Sequence, residues 1–203
     1  MSSRNVLKVD VPDSYYHVYA RGASRKPIFR SNDDYSYFLG LFVRYLSRDE
    51  VRDKNGVPYT KLHDGIELLA FCLMQNHFHL LIYQKNEHAM QRLMRGIMTS
   101  YSRYFNKKYD QSGSLFESRY KASRISTDEY LMHVSRYIHL NPDKWKSYPY
   151  SSIKYYDGEE KPDWISPERI LELFSSRHTY MEFVADYKDI RDVYEEIKHE
   201  LAN

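Results

Sequence analysis

Two apolar runs, Ile66 to Met74 and His77 to Tyr83, are separated only by Gln75-Asn76. A two-residue break between runs of this kind is the signature of a β-hairpin. The second run opens His77-Phe78-His79. Side chains along a strand alternate between faces, so residues two apart leave the sheet together and both imidazoles stand side by side at the hairpin mouth. Such a pair is half of a metal site, or one buried core histidine beside a chance neighbour, and a motif this short admits both.

The rest of the chain supplies the elements such a hairpin needs to become a domain. Tyr15 to Ala20 alternates and predicts a strand ended by Gly22. Ser31-Asn32-Asp33 offers caps for a helix in which Tyr35, Phe38, Leu39, Phe42 and Leu46 recur on one face. Arg48 to Gly65, charged and broken by Asn55-Gly56, predicts an exposed connection. After the hairpin, Glu87 to about Asn106 predicts a second amphipathic helix, with Arg92, Arg95 and Arg103 on its polar face. The turn Asp110 to Gly113 leads into a strand-like run, Leu115 to Ile125, carrying Arg119, Lys121 and Arg124. Strand, helix, strand, strand, helix, strand is the order of a ferredoxin-like split βαβ sheet, an α+β fold with both helices on one face of an antiparallel sheet.

Ser126-Thr127-Asp128-Glu129 has the form of a capping box for a third helix that Asn141-Pro142 stops. Tyr130, Val134, Tyr137 and Asn141 recur on one face of it at steps of three and four residues. Beyond the irregular Tyr148-Pro149-Tyr150-Ser151-Ser152, Ser166-Pro167-Glu168 caps a short helix to about Phe174, and Tyr180 to Leu201 predicts one or two acidic helices. We therefore divide the chain into a domain of residues 1–156 and an acidic, mainly helical extension of residues 157–203.

Composition excludes several classes. The single cysteine, Cys72, leaves no disulfide framework within the chain and no cysteine-rich zinc site. No stretch approaches the roughly 20 apolar residues of a membrane span, so a soluble, cytoplasmic protein is expected. The net charge of +2 conceals a strong asymmetry. From Met90 to Ile125 eight basic residues face two acids, whereas from Asp157 onward thirteen acids face six basic residues. Blocks of opposite sign point to a polyanion-binding middle and an acidic segment that is either a solvated helical face or lies over the basic groove. The 21 tyrosines, interleaved with arginine in the middle, suit stacking of single-stranded bases, although most tyrosines serve packing.

Three ordered segments sharpen this reading: Met74 to Ile82, Gly113 to Lys121, and Arg136-Tyr137-Ile138-His139-Leu140-Asn141-Pro142. Together they resemble the single-tyrosine HUH transposases, and most closely the REP-associated tyrosine transposases. Tyr16-His17-Val18 with Arg21-Gly22, Ile28-Phe29 and Tyr148 to Ser152 extend the resemblance over about residues 14–158. Gln75 stands where that family commonly has proline, and a turn tolerates either.

The resemblance implies that His77 and His79 bind a divalent metal, that Asn141 completes the site and that Tyr137 is the nucleophile. Two imidazoles and an amide oxygen suit Mg²⁺ or Mn²⁺ and leave coordination positions for substrate. The implied activity is cleavage and rejoining of single-stranded or hairpin DNA through a 5′-phosphotyrosine, by a monomer or homodimer. Arg92, Arg95, Arg103, Arg119, Lys121 and Arg124 are the candidate phosphate contacts. Tyr120 and Tyr130 are the fallback nucleophiles, His17 and His139 are read as structural hydrogen-bonding groups, and His133 is a weaker candidate. Asn141 before Pro142 also fits a simple helix stop. The competing functions are a non-catalytic nucleic-acid-binding module on the same sheet and a metal-dependent phosphodiesterase in which water attacks.

Overall fold

The apolar alternation of the strands is answered by a four-stranded antiparallel sheet in the computed structural model, which describes residues 10–186. In chain order the elements are β1 (Ser14–Arg21), α1 (Asn32–Leu46), β2 (Ile66–Met74), β3 (His77–Gln84), α2 (Ala89–Lys108), β4 (Lys121–Ile125) and α3 (Asp128–Leu140). Three short helices follow: α4 (Ile153–Tyr156), α5 (Glu168–Leu171) and α6 (Arg177–Ala185). The sheet order is β2-β3-β1-β4, as the βαββαβ reading requires. Met74 pairs with His77 across Gln75-Asn76, so the hairpin is the predicted one.

Alternation sorts the side chains into two cores. Tyr16, Val18 and Ala20 of β1 and Phe78, Leu80 and Ile82 of β3 pack with the apolar stripes of α1 and α2. The opposite face, with Leu81, Ala70 and Cys72, is covered by α3 and by Ile153, Ile170, Tyr180 and Val184 from the C-terminal segment. A register shift between Leu68 and Ala70 changes the phase of β2. It puts Phe71 and Leu73 toward α1 and α2 and leaves the small Ala70 and Cys72 toward α3.

Three expectations are corrected or sharpened. Leu115 to Tyr120 does not continue β4: only one isolated bridge, Gly22 with Phe116, joins it to β1. Leu115 and Phe116 are buried there without a ladder, held by Ala23 N–H to Leu115 C=O (2.9 Å) and Glu117 N–H to Arg21 C=O (3.0 Å). The cap of α3 is Thr127, whose hydroxyl accepts from Tyr130 N–H, so the capping-box register is displaced by one residue. Tyr148 to Ser152 is not merely a connection, because Leu73 N–H donates to Tyr150 C=O (2.9 Å) and Ser152 N–H to Phe71 C=O (3.0 Å). It thereby covers the outer edge of β2, which would otherwise present unpaired backbone groups.

The C-terminal segment up to residue 186 lies against α3 and β2, at the sheet edge opposite β4. Trp164, Ile165, Ile170, Tyr180 and Val184 are buried, and burial of that apolar area rather than charge sets its place. The remainder of the expected acidic helices, beyond residue 186, lies outside the described residues. Among the described residues no helix is long and apolar enough to cross a membrane.

Gly22 ties β1 to the hairpin turn through its N–H to Asn76 C=O (2.8 Å). A Cβ at this position would lie 2.1 Å from the Lys26 carbonyl oxygen and 2.8 Å from an Ile28 methyl. The backbone cannot yield as a flexible side chain would. Gly22→Ala is expected to cost about 1–3 kcal/mol, read as a lower urea midpoint at unchanged m-value; an unchanged midpoint would refute this account.

Candidate active site

β3 begins at His77, immediately after the turn, and alternation carries His77 and His79 to the face that α3 covers. His77 is half-buried and His79 is buried. The i+4 spacing in α3 then delivers the other two groups. The Tyr137 ring, itself buried, stands edge-on to His79 at 5.2 Å between centroids and to His17 at 5.8 Å. At the helix end, Asn141 Oδ1 lies 3.1 Å from His77 Nε2. His77, His79, Tyr137 and Asn141, drawn from two segments more than fifty residues apart, are brought together in one chain.

α3 is held there from behind. His139 Nδ1 lies 2.6 Å from the Tyr180 hydroxyl and His139 Nε2 lies 2.8 Å from Ser152 Oγ. Arg136 donates to the Phe183 carbonyl (3.1 Å) with its guanidinium 3.9 Å over the Phe183 ring. These contacts and the apolar burial of α6 hold the helix that carries Tyr137 from its outer side. His139 is structural, as expected.

Burial depresses the basicity of the histidines by penalising their charged form. His17 is lowered to about 4 by burial alone. His77 is lowered chiefly by burial, against the raising effect of its contact with Asn141 and with a lesser lowering by the Arg21 charge. His79 lies well below the ordinary value, through burial and then through the neighbouring His17, His77 and Arg21. All three are neutral at neutral pH, the state in which imidazole binds metal.

The donor atoms fit a divalent cation. Asn76 Nδ2 donates to the Arg25 carbonyl (3.2 Å), which turns Asn76 Oδ1 toward His77 Nδ1 at 2.7 Å. With His77 donating from Nδ1 to Asn76, its Nε2 lone pair and the Asn141 amide stand 3.1 Å apart, two donor groups that a divalent cation can take. His79 Nε2, buried, has no hydrogen-bond partner among the described residues. No group of three or more His, Cys, Asp or Glu side chains is gathered for a metal among those residues, so an oxygen donor such as the Asn141 amide is what would complete a site built on these histidines.

The six basic candidates are on the surface but are not drawn into this cluster. Arg92, Arg95, Arg103, Arg119 and Arg124 are exposed and Lys121 is half-buried. They lie on the outer face of α2 and along β4 with the segment before it. Lys121 Nζ sits 5.8 Å from the Tyr19 ring centroid, and that ring is itself 5.8 Å from His79. Lys121 thus links the basic region to the histidines. Tyr120 and Tyr130 are packed into the two separate cores.

Sequence reasoning missed two contributors and gave a third, His17, only as a structural hydrogen-bonding group. Arg21 pairs with His77 across β1 and β3 and is the cation whose field reaches both His77 and His79. Asn76 orients His77. His17 Nε2 lies 2.9 Å from His79 Nδ1. The Arg21-Gly22 pair at the end of β1 was a usable signal, whereas the other two depend on which residues meet across strands.

Residues 10–141 match the family model described as "Transposase IS200 like". A solved structure of a REP-associated tyrosine transposase bound to a REP hairpin aligns at TM-score 0.57 and 14% identity, over 82% of this chain and 92% of that one. A transposase-like protein from Deinococcus radiodurans R1 aligns at TM-score 0.40 and 14% identity, over 68% of this chain and 95% of that one. No curated protein matches significantly.

Proposed function

Because this chain belongs to the IS200-like transposase family, and is on that ground a tyrosine transposase that cleaves DNA, we propose that Tyr137 is its nucleophile and that His77, His79 and Asn141 hold a divalent metal beside it. The observation that carries this reading is the convergence of the His77 and Asn141 donor atoms with the Tyr137 ring packed on His79. We extend the reading to hairpin or single-stranded DNA as substrate. It is supported by the exposed basic residues and by the resemblance to a fold that binds a REP hairpin.

The Tyr137 oxygen attacks the scissile phosphorus in line with the departing 3′ oxygen. The P–O3′ bond breaks as the P–O bond to tyrosine forms, the phenol proton passes to a base or solvent, and the released oxygen is protonated to a 3′-hydroxyl. Phosphodiester energy is conserved in the 5′-phosphotyrosine. A second 3′-hydroxyl can attack it, restoring a DNA phosphodiester and the phenol without ATP. When bound, Mg²⁺ or Mn²⁺ supplies Lewis-acid polarisation of a phosphate oxygen and orients the phosphate. Packing against His17 and His79 holds the Tyr137 ring in place, so little positional freedom is lost at the moment of attack. Arg92, Arg95, Arg103, Arg119, Lys121 and Arg124 grip backbone phosphates, which positions DNA without selecting its sequence.

The test uses 3′-labelled hairpin oligonucleotides with Mg²⁺ or Mn²⁺ and a denaturing gel. Label at the combined mass of protein and DNA, lost with chelator, is expected. Binding without any adduct would favour a non-catalytic module, and cleavage without adduct would make water the nucleophile.

A further inference from the structure

Behind the histidine pair lies a second, fully buried layer. His17, on the central strand β1, is 1% exposed and its Nε2 approaches His79 Nδ1 at 2.9 Å. The two rings are near-coplanar, 23° apart. A single proton occupies that contact, and its position decides what His79 can do. If the proton belongs to His17, His79 accepts at Nδ1 and must carry its own proton on Nε2. Nε2 then has no lone pair for a cation and is a buried donor with nothing to receive it. If the proton belongs to His79, its Nε2 lone pair is free and His17 carries its proton on Nδ1.

His79 Nε2, His17 Nδ1 and Ser123 Oγ are all buried and unpartnered among the described residues. Ser123 is the cross-strand partner of His17 in the β1–β4 register, so both side chains leave the same face as close neighbours. The first arrangement leaves the buried His79 Nε2–H without an acceptor and the second leaves the buried His17 Nδ1–H without one. Only the second presents the His79 Nε2 lone pair to a cation.

We propose that His17 is a positioning residue that holds His79 as its Nδ1–H tautomer, with Nε2 turned toward the metal, as Asn76 does for His77. This rests on the reading of His77, His79 and Asn141 as the metal ligands. Partners of this kind orient a ligand ring and raise its basicity, and their loss costs about 10–100-fold in metal affinity.

The experiment has two independent readouts on full-length protein. Long-range ¹H–¹⁵N correlation spectra of the metal-free wild type are expected to show His79 protonated on Nδ1. Mn²⁺ affinity, from the electron paramagnetic resonance signal of free Mn²⁺, is expected to fall about 10–100-fold in His17→Leu. His17→Gln, which returns an acceptor oxygen, is expected to recover most of it, and a merely space-filling role would not follow that order. His79 protonated on Nε2 in the wild type, or His17→Leu binding as tightly as wild type, would overturn the proposal. His77→Ala separates the two levels. If wild type binds no more Mn²⁺ than this variant, the metal-site reading fails, while the His79 tautomer still decides the role of His17. If His17→Leu does not fold, His17→Gln and the wild-type spectrum give the decision.

Discussion

Tyr137→Phe is expected to abolish the protein–DNA adduct and to lower strand cleavage by more than about a thousandfold, the scale of loss when a covalent nucleophile is removed. The substitution deletes one oxygen and keeps the ring, so the edge-on contacts with His79 at 5.2 Å and His17 at 5.8 Å persist. Folding and hairpin affinity should therefore change little, and the loss should lie in the chemical step. Tyr120→Phe and Tyr130→Phe are the matched controls. Tyr120 packs in the core under α1 and α2, and Tyr130 stands about two helical turns before Tyr137 in α3, so each variant should retain the adduct. Adduct formation by Tyr137→Phe would remove Tyr137 from its role, and adduct loss in Tyr120→Phe or Tyr130→Phe would transfer it. Undiminished cleavage with no adduct in either wild type or Tyr137→Phe would identify water as the nucleophile.

What was legible in the sequence shares one property, that a short local spacing fixes it. Two residues between apolar runs set the hairpin, the i, i+2 step put His77 and His79 on one face, and the i, i+4 step put Tyr137 and Asn141 on one side of α3. Each of those periods follows from backbone geometry alone. His17 was visible as a strand residue, but its task depends on the diagonal contact with His79 on a strand 62 residues away. Asn76 reads as an ordinary turn residue until the Arg25 carbonyl is seen to fix its amide. Leu115 to Tyr120 carries a strand's composition, yet it meets only the short stretch Arg21 to Ala23 through one isolated bridge, and a ladder needs a continuous partner. The charge of the C-terminal segment drew attention away from Trp164, Ile170, Tyr180 and Val184, whose burial decides where it lies.

Asp34→Ala is expected to be strongly destabilising, by about 3 kcal/mol, since each buried donor left unsatisfied costs about 1–3 kcal/mol. Asp34 is fully buried as the third residue of α1. One carboxylate oxygen accepts from Arg30 N–H (2.7 Å), Ser31 N–H (3.1 Å) and Tyr109 Oη (2.7 Å). The other accepts from Tyr104 Oη (3.1 Å) and Lys108 Nζ (2.8 Å). Alanine would strand these donors. Asp34→Asn should not rescue stability, because either orientation of the amide turns an NH₂ group against one of the two donor sets. Burial raises the Asp34 carboxyl, but the bonds from Lys108 and Tyr109, then Arg30 and Tyr104, outweigh it and leave the group below the ordinary value of 3.8. Its contribution is therefore fully present above that value and is lost as pH falls through the lowered folded value. The variant should lose its excess acid sensitivity in that window. The network also reaches the active site, since the strand of chain it pins at Arg30 and Ser31 continues back to Ile28 and Phe29. The backbone amides of those two residues donate to Gln75 C=O (2.8 and 3.0 Å) in the turn that presents Asn76 and His77. Loss of Asp34 should speed hydrogen exchange at Ile28 and Phe29 beyond the change in global stability. A midpoint shift worth less than about 1 kcal/mol, at the level of an ordinary surface substitution, would show that the five donors find other partners and that the turn is held without them.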